Sequence, residues 1–569
     1  MSNLYYFDGE EFVRRRIWAM FTFAAIAFVA LLLRLLFVCS GTISVNKNPL
    51  PASCRASVVD RCGQILATSV VTYSVYANPY VIEDKEEACR LLSGIFPDID
   101  KNSIRSKIFS KKTFVWLFRH ISPKQKSMIS ALGVNGIELI KDSKRVYPQD
   151  NLFCHVLGVT DIDQEGVSGI EKSFNKELKK KKAPLVLSLD ARVQHAIHEE
   201  LLNVINEFNA KGANALLVDV GTGEIVSMVS IPDFSPANVS GIDEEAMFNR
   251  NVSGVYEFGS IMKIHNIAMA LDGNVVTLNS VYDASSPIRI GRFTVTDFRG
   301  KCRPLTVLES FLFSSNIANA KIALDAGAWR QTQFFKLLGF FEPVKTELPE
   351  EARVRQYSSD WSKAQVITAS YGYGIAVTPL HMARSVAGIV TGKEVALTLL
   401  KKDAKEMSRV SVTRGAKKIV SPATAEKMRM LLALAVKDGQ AKKASVPGYK
   451  IGAKTGTANV RVRGRYAEKQ NLTSCVCVFP IDLPRYVLLV SVDRPQANAK
   501  SHGFATAGMI AAPLVAAIVK KVAPIVGVEP EPVSDQQQVP SGAKPRDKLE
   551  AMIYGSSKSV SISTNLSGN

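Results

Sequence analysis

Three short stretches carry side chains able to transfer an acyl group, and they occur in a fixed order. The first is Ser260-Ile261-Met262-Lys263, preceded by Tyr256-Glu257-Phe258-Gly259. The second is Ser314-Ser315-Asn316, and the third is Lys454-Thr455-Gly456-Thr457. A serine hydroxyl is a poor nucleophile until a base takes its proton. If Ser260 opens a helix, Lys263 lies one turn on, on the same face, with its amine beside the hydroxyl. A lysine serves as base only where burial or neighbouring positive charge lowers its pKa, and Lys454 offers that charge. A helix N-terminus also favours negative charge developing at the serine. Lys454 to Thr457 follow Tyr449-Lys450-Ile451-Gly452 and read as a strand. Gly456 lets a substrate backbone lie close, so that substrate adds as a further strand, and the Thr455 and Thr457 hydroxyls suit a carboxylate. Each motif alone is weak: S-x-x-K arises by chance about three times in such a chain, and its bland reading is a cap or turn. The combination is stronger, because each site supplies a different part of one reaction.

The elements that must position these residues read as follows. Pro184 to Asp190 is strand-like, and Ala191 to Phe208 is an amphipathic helix behind an aspartate cap. Ala213–Asp219 and Glu224–Ser230 flank Gly221-Thr222-Gly223 and read as a β-hairpin. Cys475–Phe479 and Tyr486–Val492 are strand-like, and Ala507–Val522 is a helix. Strands at both ends with helices between them predict a mixed α/β domain over residues 185–525, a sheet flanked by helices. Residues 50–184 are charged and irregular, with short β-like pieces such as Ser74–Ala77, and form a separate N-terminal α+β module. The Lys179 to Lys182 run marks the boundary, or is a solvated turn. Residues 526–569 are rich in Pro, Ser, Gln and Lys and read as a disordered tail.

Arg14, Arg15 and Arg16 precede a largely apolar run from Ile17 to Val38. As a helix that run spans about 33 Å, enough for a bilayer core of about 30 Å. The arginines stay cytoplasmic, so residues 1–16 form a short inner tail, 17–38 an anchor in the inner membrane, and the rest is exported. A cleaved signal peptide is the alternative; its apolar region is shorter and needs a small-x-small cleavage site, which is not evident here. Arg34, near the outer end of the run, snorkels to the interface. The net charge of +19 suits acidic partners, but no zinc-finger spacing or RNP-like motif accompanies it, and nucleic acid is not an expected partner. The eight cysteines form no CxxC pair or Cys/His array, so no metal and no cofactor is expected. A Cys54–Cys62 disulfide outside the cytoplasm is one reading, and small buried hydrophobes the other. Cys475 and Cys477 share a strand face and do not pair. His265 is rotated away from Ser260 and reads as packing or surface, and Glu257 and Asp297 fit a catalytic role, though loop solvation accounts for them as well.

The three motifs together resemble those of penicillin-binding proteins and serine β-lactamases. Arg55 to Ala67, with Asp60, Arg61 and Gly63, resembles the RGxIxDRxGxxLA signature of class B penicillin-binding proteins, with Ala56 in place of the first glycine. His155–Asp163, Gly166–Phe174 and Tyr371-Gly372-Tyr373-Gly374 resemble further segments of that family, and Phe258 stands where proline is common. The likeness covers roughly residues 1–525. It implies an elongated N-terminal pedestal, a serine β-lactamase-like transpeptidase domain, and D,D-transpeptidation of peptidoglycan stem peptides, with β-lactams bound covalently at Ser260. It further implies that Ser260 attacks the D-Ala–D-Ala carbonyl, that Lys263 takes its proton, and that Ser314 relays a proton to the departing D-alanine. Asn316 then orients the substrate amide, Lys454 supports the charge network, and Thr455, Gly456 and Thr457 bind the substrate's carboxylate end. The backbone N–H groups of Ser260 and Thr457 form the oxyanion hole. Thr160–Asp163 with Gly166–Phe174 is closer to the septal, FtsI-like pattern, which implies an FtsW-like polytopic glycosyltransferase and other divisome proteins as partners. An elongation-type transpeptidase, a D,D-carboxypeptidase or β-lactamase, and a non-catalytic β-lactam sensor are the alternatives.

Overall fold

The computed structural model describes residues 9–40, 55–180, 183–291, 293–352, 354, 360–403, 417–462 and 465–531. Helix α1, Gly9–Ser40, contains the apolar run. Its segment Arg14–Arg34 is, among the described residues, the stretch long and apolar enough to cross a membrane. The chain divides into two compact units, residues 1–55 with 69–145, and residues 56–68 with 146–569.

In the first unit, the strand Ile65–Ala77 pairs over its second half with Val115–Ile121, antiparallel, and also with Ile137–Val146. The short β-like piece expected at Ser74–Ala77 is thus the end of a 13-residue strand. Val75, Ala77, Leu92, Phe96, Ile104, Ile108 and Phe118 form its core, where helices Lys85–Ile95 and Lys101–Ile108 pack. Both helices start on aspartates, Asp84 and Asp100, whose side chains accept backbone N–H bonds.

The second unit is built on a five-stranded antiparallel sheet. Helix α2 is Ala191–Phe208, and Asp190 caps it by accepting from the Arg192 N–H. Strands β1 (Gly212–Asp219) and β2 (Ile225–Ile231) form the expected hairpin. β3 (Gly452–Val462), β4 (Arg465–Phe479) and β5 (Tyr486–Asp493) come from the far end of the chain. The spatial order is β3-β4-β5-β1-β2, so β3, which carries the third motif, is an edge strand.

Alternation along these strands feeds two separate cores. Ala213, Ala215 and Leu217 join Cys475, Cys477, Leu488 and Val490 on one face. Leu216, Val218, Val476, Val478, Val487 and Leu489 point to the other. The first face is covered by α2 and by the helix Ala511–Ile525. The second is covered by a helical layer that includes α3 (Lys263–Asp272) and Pro422–Lys437. Burial on both faces is why β1, β2 and β5 read as continuous apolar runs.

Several expectations shift. Pro184–Asp190 is a strand only at Leu185–Val186. Beyond it the backbone makes single contacts: Leu187 bridges Leu400, and Ser188 N–H donates to the Leu399 carbonyl. The C-terminal helix begins at Ala511 rather than Ala507, and the Ala507 N–H before it donates to Thr457 Oγ1 at 2.9 Å. Residues 526–531 pack against the second unit, with Val528 buried and the Glu531 N–H donating to the Gly448 carbonyl. The remainder of the expected tail, with Cys54, Lys181 and Lys182, lies outside the described residues.

The Arg55–Ala67 segment is held by Asp60, which is buried. Its Oδ1 accepts from the Cys62 and Gln64 N–H groups at 2.8 Å, and its Oδ2 from the Ala191 N–H at 3.0 Å. Beside it, Arg61 pairs with buried Glu224 at 2.6 Å. Asp60, Cys62 and Asp190 lie close together, but Asp60 is spent on backbone N–H groups and Asp190 on Arg192. Asp60→Ala strands three donors, two in the turn after Asp60 and one at the start of α2, and should lower the stability of the protein by about 3 kcal/mol in chemical denaturation. An unchanged midpoint would mean that water satisfies those groups.

Candidate active site

The three motifs, far apart in the chain, meet at the Lys263 amine. Ser260 lies in a 3-10 turn, Gly259–Met262, and the α-helix itself starts at Lys263. This corrects the expectation that Ser260 opens the α-helix. The consequence for the pair is favourable, since positions three apart eclipse in a 3-10 turn. Lys263 Nζ lies 3.0 Å from Ser260 Oγ. It also lies 2.5 Å from the Ser314 carbonyl oxygen, 3.1 Å from Ser314 Oγ and 2.7 Å from Asn316 Oδ1. Lys454 Nζ reaches Ser314 Oγ at 3.0 Å and the Thr455 carbonyl at 3.1 Å. A continuous chain therefore runs from Ser260 Oγ through Lys263 Nζ and Ser314 Oγ to Lys454 Nζ.

Each link has a local cause. Residues 263–271 of α3 are all buried, so Lys263 is carried into the interior rather than to a surface. Its fellow polar residues are bonded too: His265 Nε2 meets Ser385 Oγ at 2.8 Å, and Asn266 Nδ2 donates to the Asn319 carbonyl at 3.1 Å. His265 is thus a core residue. Ser314 sits between the helix Val307–Leu312 and helix α4, Asn316–Ala326, with φ at 55°. A left-handed non-glycine residue costs of order 1 kcal/mol or more and persists only where its surroundings fix it. Here the unusual conformation turns both Ser314 oxygens toward one amine.

Burial, followed by the positive charge of Lys454, holds the Lys263 amine well below an ordinary lysine, while Asp297 pulls it back up. Burial also lowers Lys454, to about 7, against the opposing influence of Cys475. Two amines in one dry pocket oppose each other's protonation. A neutral Lys263 amine accepts a proton from a serine hydroxyl, as a general base requires.

The third motif divides between two faces. Lys454 and Gly456 face the Ser260 turn, while Thr455 and Thr457 alternate to the other side, where Thr457 Oγ1 accepts from Ala507. The threonine hydroxyls stand outside the Ser260–Lys454 chain. Gly456 has a role different from the expected one. A Cβ there would lie 2.2 Å from the Phe258 carbonyl oxygen and 2.9 Å from the Ile261 side chain. The close approach it permits is that of β3 to the chain's own Ser260 turn. On the opposite side Gly372, with φ at 92°, brings its turn so near that a Cβ would meet the Gly259 carbonyl at 2.0 Å.

The penicillin binding protein transpeptidase domain matches residues 213–520, more than half of the chain. The chain belongs to the penicillin-binding protein transpeptidases. The penicillin-binding protein dimerisation domain matches residues 51–199. A probable peptidoglycan D,D-transpeptidase FtsI of Caulobacter vibrioides is 32% identical over 489 residues, covering 84% of this chain and 82% of that protein. The peptidoglycan D,D-transpeptidase FtsI of Escherichia coli K12 is 30% identical over 511 residues, 84% of each. A probable peptidoglycan D,D-transpeptidase PenA of Neisseria gonorrhoeae is 31% identical, covering 85% of this chain and 87% of its own. In fold, the crystal structure of penicillin binding protein 3 from Mycobacterium tuberculosis, complexed with aztreonam, matches at a TM-score of 0.65 and 21% identity. It covers 85% of this chain and 98% of that one.

Two carboxylates that the sequence left between a catalytic role and loop solvation, Glu257 and Asp297, are both tied into the site of this transpeptidase. Glu257 accepts from the Gly374 N–H at 2.8 Å and from the Tyr466 hydroxyl at 3.0 Å, and pairs with Arg461 at 3.4 Å. It ties the approach to Ser260 to the Tyr371–Gly374 turn and to the β3–β4 hairpin. Asp297 accepts from the Ser315 hydroxyl and from the backbone N–H groups of Asn316 and Ile317. Neither is loop solvation, and no spacing rule announces either one. The signal in the sequence was only an acidic residue near a motif.

Gly456→Ala must push β3 away from the Ser260 turn by an ångström or more. Displacement on that scale costs about 100-fold in rate. The acylation rate of Ser260 in the variant should fall by that amount while the circular dichroism spectrum is kept. Acylation at the parent rate would mean that the strand yields without moving the serine.

Proposed function

We propose that this transpeptidase cross-links peptidoglycan stem peptides through an acyl-enzyme at Ser260 during septal wall synthesis, and that β-lactams trap the same serine. The observation that carries the reading is the Lys263 amine, buried and within 3.0 Å of Ser260 Oγ and 3.1 Å of Ser314 Oγ. Lys263 takes the Ser260 proton as Oγ attacks the carbonyl of the penultimate D-alanine. The tetrahedral oxyanion is held by the backbone N–H groups of Ser260 and Thr457. As the C–N bond breaks, Ser314 gives its proton to the leaving D-alanine amine and regains one from the Lys263 ammonium. The amine of a second stem peptide then attacks the ester, and the same chain of groups returns the proton to Ser260 Oγ. The outer side of edge strand β3 suits an extended peptide donor lying along Thr455, Gly456 and Thr457, with Lys454 supplying positive charge. Asn316 spends its Oδ1 on Lys263 and donates from Nδ2 to the Thr296 carbonyl, so its remaining N–H is the one that meets the substrate amide.

Intact-mass spectrometry after benzylpenicillin should show one stable adduct, mapped to Ser260 and absent from Ser260→Ala. Lys263→Ala should acylate about 10²- to 10⁴-fold more slowly while melting cooperatively. Labelling elsewhere, or a Lys263→Ala variant acylated at the parent rate, would sink the mechanism.

The septal assignment rests on the Thr160–Asp163 and Gly166–Phe174 segments and on relatives that bear the name FtsI. The division of the chain into inner tail (1–16), anchor (17–38), pedestal (50–184), transpeptidase domain (185–525) and tail (526–569) belongs to the same proposal. Arg14 to Arg16 keep the N-terminus cytoplasmic. Ala24, Ala25 and Ala27 on α1 offer small residues against which an FtsW-like polytopic partner packs. A C-terminal tag that fluoresces only when exported should gather at midcell, and depletion should give long filaments. Swollen round cells with a dispersed tag would favour an elongation enzyme instead.

A further inference from the structure

We propose that Asp297 is the positioning residue of the second motif, holding Asn316 against Lys263 and supplying negative charge that acts on that buried amine. The inference rests on the reading of Ser260 and Lys263 as nucleophile and base. Asp297 follows the short strand Phe293–Val295 and is half-buried. Its carboxylate accepts three bonds. Oδ2 takes the Ser315 hydroxyl at 2.6 Å, and Oδ1 takes the Asn316 N–H at 2.5 Å and the Ile317 N–H at 3.0 Å. These are the first donors of α4, the helix whose start carries the motif.

The cap of that helix is a different group. Ser315 Oγ accepts from the Ala318 N–H at 3.0 Å, satisfying one of the helix's first donors. Asp297 takes two more, Asn316 and Ile317, and holds the Ser315 hydroxyl in addition. By taking the Ser315 proton it fixes the hydroxyl so that its lone pair faces Ala318. By taking the Asn316 N–H it sets where the Asn316 side chain starts. The neighbouring Thr296 carbonyl then accepts Asn316 Nδ2 at 2.9 Å. With the amide nitrogen committed there, the amide oxygen must face the other way, toward Lys263 Nζ at 2.7 Å. Residues 296 and 297 thus decide which end of the Asn316 amide the base sees.

The second contribution is charge. The groups around Lys263 are Ser260 from its own turn, Lys454 from β3, Ser314 and Asn316 from the second motif, and Asp297. Lys454 opposes protonation of Lys263, and Asp297 favours it. A base too strongly depressed is always neutral but accepts protons weakly, so an opposing carboxylate tunes it toward the working pH. Within this constellation Asp297 is the acidic counterweight.

The test is the pH dependence of acylation of the purified full-length protein by a fluorescent penicillin. The wild-type protein is first mapped for its adduct; labelling away from Ser260 would defeat the underlying mechanism rather than the role of Asp297. Asp297→Asn keeps an acceptor oxygen for the two backbone N–H groups and removes the charge. Its acidic limb should move to lower pH by about one unit, with a lower plateau. Asp297→Glu, which keeps the charge, should hold the limb at the wild-type pH. A residue that merely braced the helix would lower the plateau and leave the limb in place. That outcome overturns the proposal, as does a limb that moves to higher pH. Should Asp297→Asn lose its cooperative melt, the Glu variant carries the test alone, and a displaced limb there overturns the proposal as well.

Discussion

The second unit depends on holding the Lys263 amine out of water beside a second buried amine, Lys454. A bare ammonium in such a place is very costly, and a neutral amine without partners still costs about 2–7 kcal/mol. The fold answers with acceptors rather than with solvent. Ser314 gives both its carbonyl and its hydroxyl, and Asn316 gives its side-chain oxygen. The left-handed conformation of Ser314 is part of what this arrangement costs. Backbone strain and depressed basicity are therefore two faces of one constraint: an amine that is reactive because the chain around it is over-determined.

The sheet and the buried helix supply that over-determination. α3 is surrounded on all sides, so it cannot rotate Lys263 toward solvent. β3 is an edge strand along its length, yet its inner face is pressed against the Ser260 turn at Gly456. Gly372 brings the Tyr371–Gly374 turn onto the same turn from the other side. Glu257 then joins these two walls through Gly374 and Tyr466. The Ser260 turn is short and non-α-helical, and Gly456 and Gly372 pack it closely. β3 ends the sheet, yet Ala453, Lys454 and Thr455 on it are buried, so this wall of the site is packed as well.

The two-core arrangement explains how so much chain can intervene between the motifs without loosening them. β1 and β2 come before the helical layer, and β3 to β5 after it, so the sheet closes only when both ends of the unit are present. Each face is then sealed by its own helices, α2 and Ala511–Ile525 on one and the α3 layer on the other. Lys454 can approach Ser314 because β3 is registered against β4, with Lys454 opposite Val476 and Thr455 opposite Cys475.

What the sequence determined by itself was local. The three-residue step from Ser260 to Lys263, the aspartate cap of α2, the hairpin around Gly221–Gly223 and the strand at Lys454 are set by neighbours within a turn or two, and all are present. The paired apolar faces of Cys475 and Cys477 follow from the two-residue period of a strand, and both are buried together. Interactions across the fold were invisible, because no period connects them. Asp297 lies 18 residues before Ser315 and Glu257 lies 209 before Tyr466, and in sequence each is one more acidic residue in a loop. Gly456 was legible as a close approach, but the partner is the Phe258 carbonyl, which only the packing of β3 on the Ser260 turn could reveal. The sequence names the groups and their local geometry. Tertiary structure decides which of them share one dry pocket, and hence which amine can act as a base.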